Sequence, residues 1–283
     1  MYNRFRSSYV PGSTFKPVTG AIALTENVLT ADEDLGYSGT GWQKDGSWGG
    51  YVVTTLEKYW GFANLRNAYI FSDNIYFAKV ALRIGQERME ANLDKIGFNE
   101  PMPFEINLTA STYESQENAL ANEMLLADTG YGQGHLLMNP IHFSMIYSAF
   151  SNNGNMLKPR LIFEENLTPE IWISGAFSAQ AASAIREEMV HVIEDPSALG
   201  HRGKINGVLL AGKTGTAEIK SEQDSVFGTE IGWFAAFTAD DSAEHPIQIM
   251  TLVENAKDRG GSKLAIPFVQ EGIRFYLGLT QEG

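Results

Sequence analysis

The feature that most constrains this chain lies in its last third. Three runs there alternate apolar and polar residues, Val208 to Ile219, Glu230 to Thr238 and Ile247 to Val253, and only polar segments separate them. A period of two marks a strand with one face buried, and consecutive strands joined this way pair antiparallel. Upstream the period is different. Apolar residues recur at helical spacing in Thr14 to Leu24, from Leu65 to about Ile84, in Pro140 to Phe150 and from Ser178 to about Ile193; the same spacing returns in a closing stretch from about Lys263 to Leu277. Helices first, then a meander, then a terminal helix predict an α+β fold. Residues 31–50, rich in Gly, Asp, Ser and Thr around Trp42 and Trp48, read as an ordered surface loop. Residues 99–118 carry Pro, Asn, Ser and Thr with little periodicity and read as a long excursion.

With 283 residues, 43% of them hydrophobic, the chain can bury a substantial core as one large unit or two small ones sharing an interface. The periodicity divides it into a helical part, about 13–195, and a sheet with its helix, about 205–283. Charge narrows the partners: 34 acidic against 21 basic residues give a net −13, and no Lys/Arg cluster is interleaved with aromatics, so nucleic acid is not expected. The absence of Cys removes disulfides, thiol nucleophiles and thiolate metal sites. His135, His142, His191, His201 and His245 stand apart with no i, i+4 pair, so no metal site is expected. No secretory signal and no unbroken apolar span of about 18 residues is present.

Three short patterns carry chemistry. Ser13, Thr14, Phe15 and Lys16 form Ser-x-x-Lys at the start of a helix, where i, i+3 spacing puts the hydroxyl and the amine on one face. A desolvated Lys becomes a neutral amine able to take the hydroxyl proton, and helix N–H groups favour developing negative charge. Alone the pattern is weak: ordinary Ser and Lys frequencies supply about one match in a chain this long, and an N-cap Ser beside a solvated Lys has the same spelling. Ser72, Asp73 and Asn74 form Ser-x-Asn among Ile70, Phe71, Ile75, Tyr76 and Phe77. A hydroxyl and an amide in so apolar a setting need partners; the hydroxyl can relay a proton and the amide can hold the substrate backbone and the Lys16 amine. Ser151, Asn152 and Asn153 repeat this pattern before Gly154 and read as a plain turn. Lys213, Thr214 and Gly215 lie inside the first alternating run, where Lys213 can bind a carboxylate, Thr214 can hydrogen-bond it and Gly215 lets a ligand backbone approach; Thr216 follows with an N–H for a scissile carbonyl.

A rival of another class shares these letters. Gly207, Gly212, Lys213 and Thr214 satisfy the phosphate-loop spacing G-x-x-x-x-G-K-T of nucleotide-hydrolysing proteins. Such a loop needs a helix after it. Here Thr216, Ala217, Glu218 and Ile219 continue the alternation instead, which predicts a strand.

Ser-x-x-Lys, Ser-Asp-Asn and Lys-Thr-Gly in that order resemble the motif set of penicillin-binding proteins and class A β-lactamases. Further strings, Gly41 to Tyr51, Ser72 to Leu82, Leu125 to Gly134, Ile146 to Asn155, Gly212 to Lys220 and Ile231 to Phe234, are similar to one branch over nearly the whole chain. That branch is the low-affinity class B penicillin-binding proteins of Gram-positive bacteria, the methicillin-resistance (penicillin-binding protein 2a-like) type. The resemblance implies a β-lactamase/transpeptidase-like fold, an antiparallel sheet flanked by helices plus an all-helical subdomain. It implies a D,D-transpeptidase that cross-links peptidoglycan stem peptides and is acylated by β-lactams: Ser13 as nucleophile, Lys16 as its base, Ser72 and Asn74 flanking the site, Lys213 and Thr214 on the substrate carboxylate, Gly215 beside it, and the N–H groups of Ser13 and Thr216 as an oxyanion hole. No cofactor is implied. Members carry Ser where Thr214 stands, which keeps the hydroxyl.

The family places strands, non-catalytic domains and a membrane anchor ahead of Ser-x-x-Lys, whereas twelve residues precede Ser13 here. The expectation is a fragment of a longer protein, anchored at the extracytoplasmic membrane face beside other cell-wall synthesis proteins, its sheet short of one or two strands and open at an edge. Two alternatives stay within the fold. A β-lactam sensor domain uses the same acylation as a binding event. A class A β-lactamase needs Glu-x-x-Leu-Asn, which neither Glu117 (Leu120, Ala121) nor Glu123 (Leu126, Ala127) completes.

Overall fold

The computed structural model describes residues 3–114, 118–162, 165, 167–220 and 228–279. Its helices and strands, in chain order, are α1 (Lys16–Thr25), β1 (Gly41–Trp42), β2 (Val53–Thr54), α2 (Leu65–Ile70), α3 (Asn74–Ile84), α4 (Gln86–Lys95), α5 (Glu123–Gly130), α6 (Pro140–Ser151), β3 (Met156–Leu157), β4 (Ile171–Ile173), α7 (Ala179–Glu194), β5 (Leu210–Lys220), β6 (Gly228–Thr238), β7 (Gln248–Val253) and α8 (Ile266–Tyr276). The α+β order read from the sequence is the order observed.

The three alternating runs form one antiparallel sheet, β5-β6-β7. Lys213 stands opposite Ala235 and Thr216 opposite Gly232. Among the described residues β5 pairs on its β6 side only, so half of its backbone N–H and C=O groups face away from the sheet. The phosphate-loop reading fails here: Gly212, Lys213 and Thr214 are strand, and the chain continues as strand to Lys220.

At the centre of the helical part is α1, buried all round from Lys16 to Ala23. A helix without a polar face belongs inside a core. Phe15, Val18, Ile22, Tyr69, Phe77, Phe143, Tyr147 and Trp233 pack in one cluster with it, so helical part and sheet share a core. Close approach of the two parts depends on glycine. Gly12 has φ +56°, and a Cβ there would stand 2.5 Å from the Thr216 carbonyl oxygen; a Cβ on Gly215 would stand 2.7 Å from Thr14 N. The turn before α1 is thereby pressed against β5.

Two readings from periodicity need correction. The stretch from Leu65 to Ile84 is two helices, because Ser72 adopts φ +52° and the Asp73 carboxylate caps α3 by accepting from Ile75 N at 2.8 Å and Tyr76 N at 3.2 Å. Ser13 lies in a 3-10 turn, Gly12–Phe15, and the α-helix begins at Lys16. Two helices went unread. In α4 only Met89, Asn92 and Leu93 are buried, a narrow apolar stripe, and α5 is short and ends on Gly130. The surface loop 31–50 contributes β1 to a small hairpin with β2. The second Ser-x-Asn is the turn ending α6, with Asn153 at φ +50° and Gly154 at +81°.

Candidate active site

All eight residues singled out from sequence line one cleft or stand behind its wall. A cavity of about 490 Å³ is bounded by Ser13, Ser72, Asn74, Lys213, Thr214, Gly215 and Thr216, and is lined also by Tyr51, Thr54, Tyr131 and Gln133. Lys16 is fully buried behind Ser13. Three chain segments, separated by about 56 and 139 further positions (16 to 72, 74 to 213), therefore meet at one place.

Four oxygens surround the Lys16 Nζ: Ser72 O at 2.6 Å, Asn74 Oδ1 at 2.7 Å, Ser13 Oγ at 2.9 Å and Ser72 Oγ at 3.0 Å. The first two are acceptors only, so each takes an N–H whichever state the amine is in. In the ammonium one N–H remains for the two hydroxyls. In the neutral amine the remaining position is a lone pair, free to accept the Ser13 proton. Burial first, then the charge of Lys213, holds the Lys16 pKa well below the ordinary lysine value, against a smaller upward pull from Asp73. A solvated lysine beside a capping serine is excluded by this geometry.

The turn 71–73 creates that environment. Ser72 in the left-handed region presents both its carbonyl and its hydroxyl to Lys16, a conformation uncommon outside glycine. Asp73 points away from the cleft; besides capping α3 it accepts from Tyr59 OH at 2.8 Å, and Tyr59 stacks on Phe71. Asn74 is oriented from both ends, its Oδ1 on Lys16 and its Nδ2 donating to Thr54 O of β2 at 2.8 Å. Opposite, the Lys213 Nζ donates to Ser72 Oγ at 3.0 Å and Thr214 O at 3.1 Å. Burial pushes its pKa down to about 7. The Ser72 hydroxyl thus sits between two amines.

Ser13 itself is held by its neighbours. Gly12 N donates to Gly132 O at 2.9 Å, Thr14 O accepts from Tyr147 OH at 2.6 Å, and Trp233 Nε1 of β6 donates to Val10 O at 3.0 Å. A nucleophile with an adjacent desolvated amine, a second hydroxyl and a second buried amine is equipped for acyl transfer.

The sequence of this chain matches the penicillin-binding protein transpeptidase domain family over residues 1–273. The chain belongs to that family. Penicillin-binding protein 3 of Bacillus subtilis is 38% identical over 263 residues, 93% of this chain and 39% of that protein. A peptidoglycan D,D-transpeptidase of Mycobacterium tuberculosis is 27% identical over 285 residues, 92% of this chain and 53% of that protein. Among solved structures, penicillin-binding protein A of M. tuberculosis as an imipenem acyl-enzyme superposes with a TM-score of 0.79 at 26% identity, covering 98% of this chain and 62% of that one. The chain spans 39% and 53% of the two protein relatives and 62% of the solved chain, less than two thirds of each. The β-lactamase/transpeptidase fold expected from the motifs is the fold observed.

Sequence reasoning missed the residues that orient the site. The Thr54 carbonyl carried no signal, since a backbone group has none. Tyr51, Tyr131 and Gln133 stood only inside strings noted for resemblance. Of the two acids weighed for a β-lactamase, Glu123 pairs with Lys44 and accepts from Trp48 Nε1 at 3.4 Å, and is not among the cleft-lining residues; Glu117 lies outside the described residues.

Proposed function

We propose that this chain is the acyl-transfer domain of a peptidoglycan D,D-transpeptidase. Ser13 attacks the carbonyl between two terminal D-alanines of a stem peptide while neutral Lys16 takes its proton. The peptide's terminal carboxylate sits on Lys213 and Thr214, beside Gly215. The N–H groups of Ser13 and Thr216 receive the charge that appears on the carbonyl oxygen. Collapse expels D-alanine as an amine, which takes a proton through Ser72 from Lys16. An amine of a second stem peptide then attacks the ester and gives its proton to Lys16, which passes it to the Ser13 oxygen as the ester C–O bond breaks and the new amide forms. A β-lactam stops after the first half, because its leaving amine stays tethered.

The observation that carries this reading is the Lys16 amine, fully buried, 2.9 Å from Ser13 Oγ and fixed by two carbonyl oxygens. The finer assignments are part of the same proposal. The similarity of the Gly41–Tyr51 and Leu125–Gly134 strings supports the low-affinity, resistance-type branch, and the Bacillus relative supports a Gram-positive setting. The greater length of the relatives supports a longer protein, anchored on the extracytoplasmic membrane face by a segment outside these residues; among the described residues no helix is long and apolar enough to cross a membrane.

The test is incubation of the full-length protein with labelled penicillin and intact-mass measurement over hours. A stable adduct on Ser13, absent in Ser13→Ala, is expected. Rapid turnover would instead mark a β-lactamase, and failure of the wild-type protein to acylate overturns the assignment.

A further inference from the structure

Asp128, which takes no part in the acyl transfer above, ties together two residues that line the cleft. Its Oδ1 accepts hydrogen bonds from the hydroxyls of both Tyr51 and Tyr131, which are 3.4 Å from each other. Both tyrosines line the cleft. Burial raises the pKa of each hydroxyl, so both keep their protons and donate. Burial also raises that of the Asp128 carboxyl, against the pull of the two hydroxyls. A carboxyl group withdrawn from water costs free energy that a simple apolar contact would avoid.

Each tyrosine leads to a different reacting group. From Tyr51 the chain runs directly into β2, whose Thr54 carbonyl accepts from Asn74 Nδ2 at 2.8 Å while Asn74 Oδ1 meets Lys16 at 2.7 Å. Tyr131 is followed by Gly132, whose carbonyl accepts from Gly12 N at 2.9 Å, next to Ser13. Space there is minimal: a Cβ on Gly132 would lie 2.0 Å from Gly12 O. The platform under Asp128 is fixed to the helices carrying the same groups. Gly130 is pressed on α3, where a Cβ would stand 2.4 Å from Phe77 O, and its carbonyl accepts from Thr19 Oγ1 of α1 at 2.8 Å.

We infer that Asp128 is a positioning residue for acylation: through Tyr51 it holds the strand that aims Asn74 at Lys16, and through Tyr131 it holds the turn that aims Ser13. The inference rests on the proposed Ser13 chemistry. It separates from a purely structural role because misaligning a nucleophile and its base by about 1 Å slows the chemical step on the order of 100-fold without weakening ligand binding in proportion.

The experiment measures, in the full-length protein, the acylation rate constant k2 and the binding constant K for labelled penicillin, per active site counted by intact mass, together with Tm. Asp128→Ala is expected to lower k2 by about 10- to 100-fold with K changed far less. Tyr51→Phe and Tyr131→Phe lower it less, and Asp128→Ala combined with Tyr51→Phe is no slower than Asp128→Ala, because one linkage is cut twice. Asp128→Asn, whose amide oxygen still accepts, recovers most of the rate. A wild-type k2 in Asp128→Ala, or losses that multiply in the double variant, overturns the inference. Should Asp128→Ala fail to accumulate, wild-type k2 in both Tyr→Phe variants overturns it equally. A wild-type protein that never acylates sinks the Ser13 reading and this inference with it, whereas a wild-type protein that acylates normally leaves only Asp128 at stake.

Discussion

Lys16 and Lys213 are the same residue in almost the same predicament. Each is buried, at 0% and 1% exposure, neither hydrogen-bonds a carboxylate among the described residues, and both reach the Ser72 hydroxyl at 3.0 Å. Burial lowers the pKa of both, yet the proposed mechanism uses them in opposite proton states. Lys16, on a helix, faces two carbonyl oxygens that occupy two N–H groups in either state, leaving its third position for the Ser13 proton. Lys213, on a strand, has one hydroxyl and one carbonyl partner and borders an open cleft, where an anion can restore its charge. A site that needs one neutral and one charged amine gains from holding them close, since a proton on Lys213 lowers the pKa of Lys16. What separates the two is what else each nitrogen touches.

The largest expected effect comes from deleting each amine in turn. Lys16→Ala is expected to slow penicillin acylation by about 1,000-fold or more, nearly all of it in the chemical step. Lys213→Ala should cost about 100-fold, mostly in binding of the carboxylate. Stopped-flow acylation over a range of penicillin concentrations separates the two, and a Lys16→Ala loss that lies in binding breaks the comparison.

Second in size is the pH profile of k2/K. In the proposed mechanism Lys16 acts without its proton, so the rate is expected to be lost as pH falls through its lowered pKa, and Lys213 acts with its proton, so the rate is expected to decline as pH rises above about 7. The profile should be a bell whose alkaline limb moves up in Lys213→Arg, because guanidinium stays charged. An unmoved limb assigns it elsewhere. The same shift sets stability: the unfolded lysine keeps its proton to about 10.4 while folded Lys213 releases it near 7, so thermal stability rises with pH between the two.

Two smaller effects sharpen the contrast. Asp73 is the group that opposes the lowering of the Lys16 pKa, so Asp73→Asn should move the acid limb to lower pH by a fraction of a unit while leaving the alkaline limb in place. Thr214→Ser keeps the hydroxyl and is expected to change k2/K by no more than about twofold; a larger change would give the Thr214 methyl group a role of its own.

Much of this was legible in the sequence. The strands near 210, 230 and 248 were readable because one buried face imposes a period of two, and α6 and α7 because their apolar residues recur at helical spacing; the structure adds the caps, Asn139 and Ser178. The helix break at Ser72 was not. Its apolar neighbours keep helical spacing through the break, and nothing local announces that Ser72 will take a positive φ. By contrast, Gly154 marked Ser151-Asn152-Asn153 as a plain turn in the sequence, and the structure adds what lies opposite each copy: two buried amines for Ser72-Asp73-Asn74, the exposed end of α6 for the other.

By itself, then, the sequence determined the helices-first layout with its three-strand meander and closing helix, the three motif segments and their membership in one family, since periodicity and spelling are local properties. Only the tertiary structure decided that four oxygens close on Lys16, that Lys213 is buried deeply enough to lose its proton near neutrality, that Thr54 steadies Asn74, and that Asp128 gathers two tyrosines from separate segments. Each of these depends on desolvation and on contacts between segments far apart in the chain. Those quantities exist only after the segments have packed.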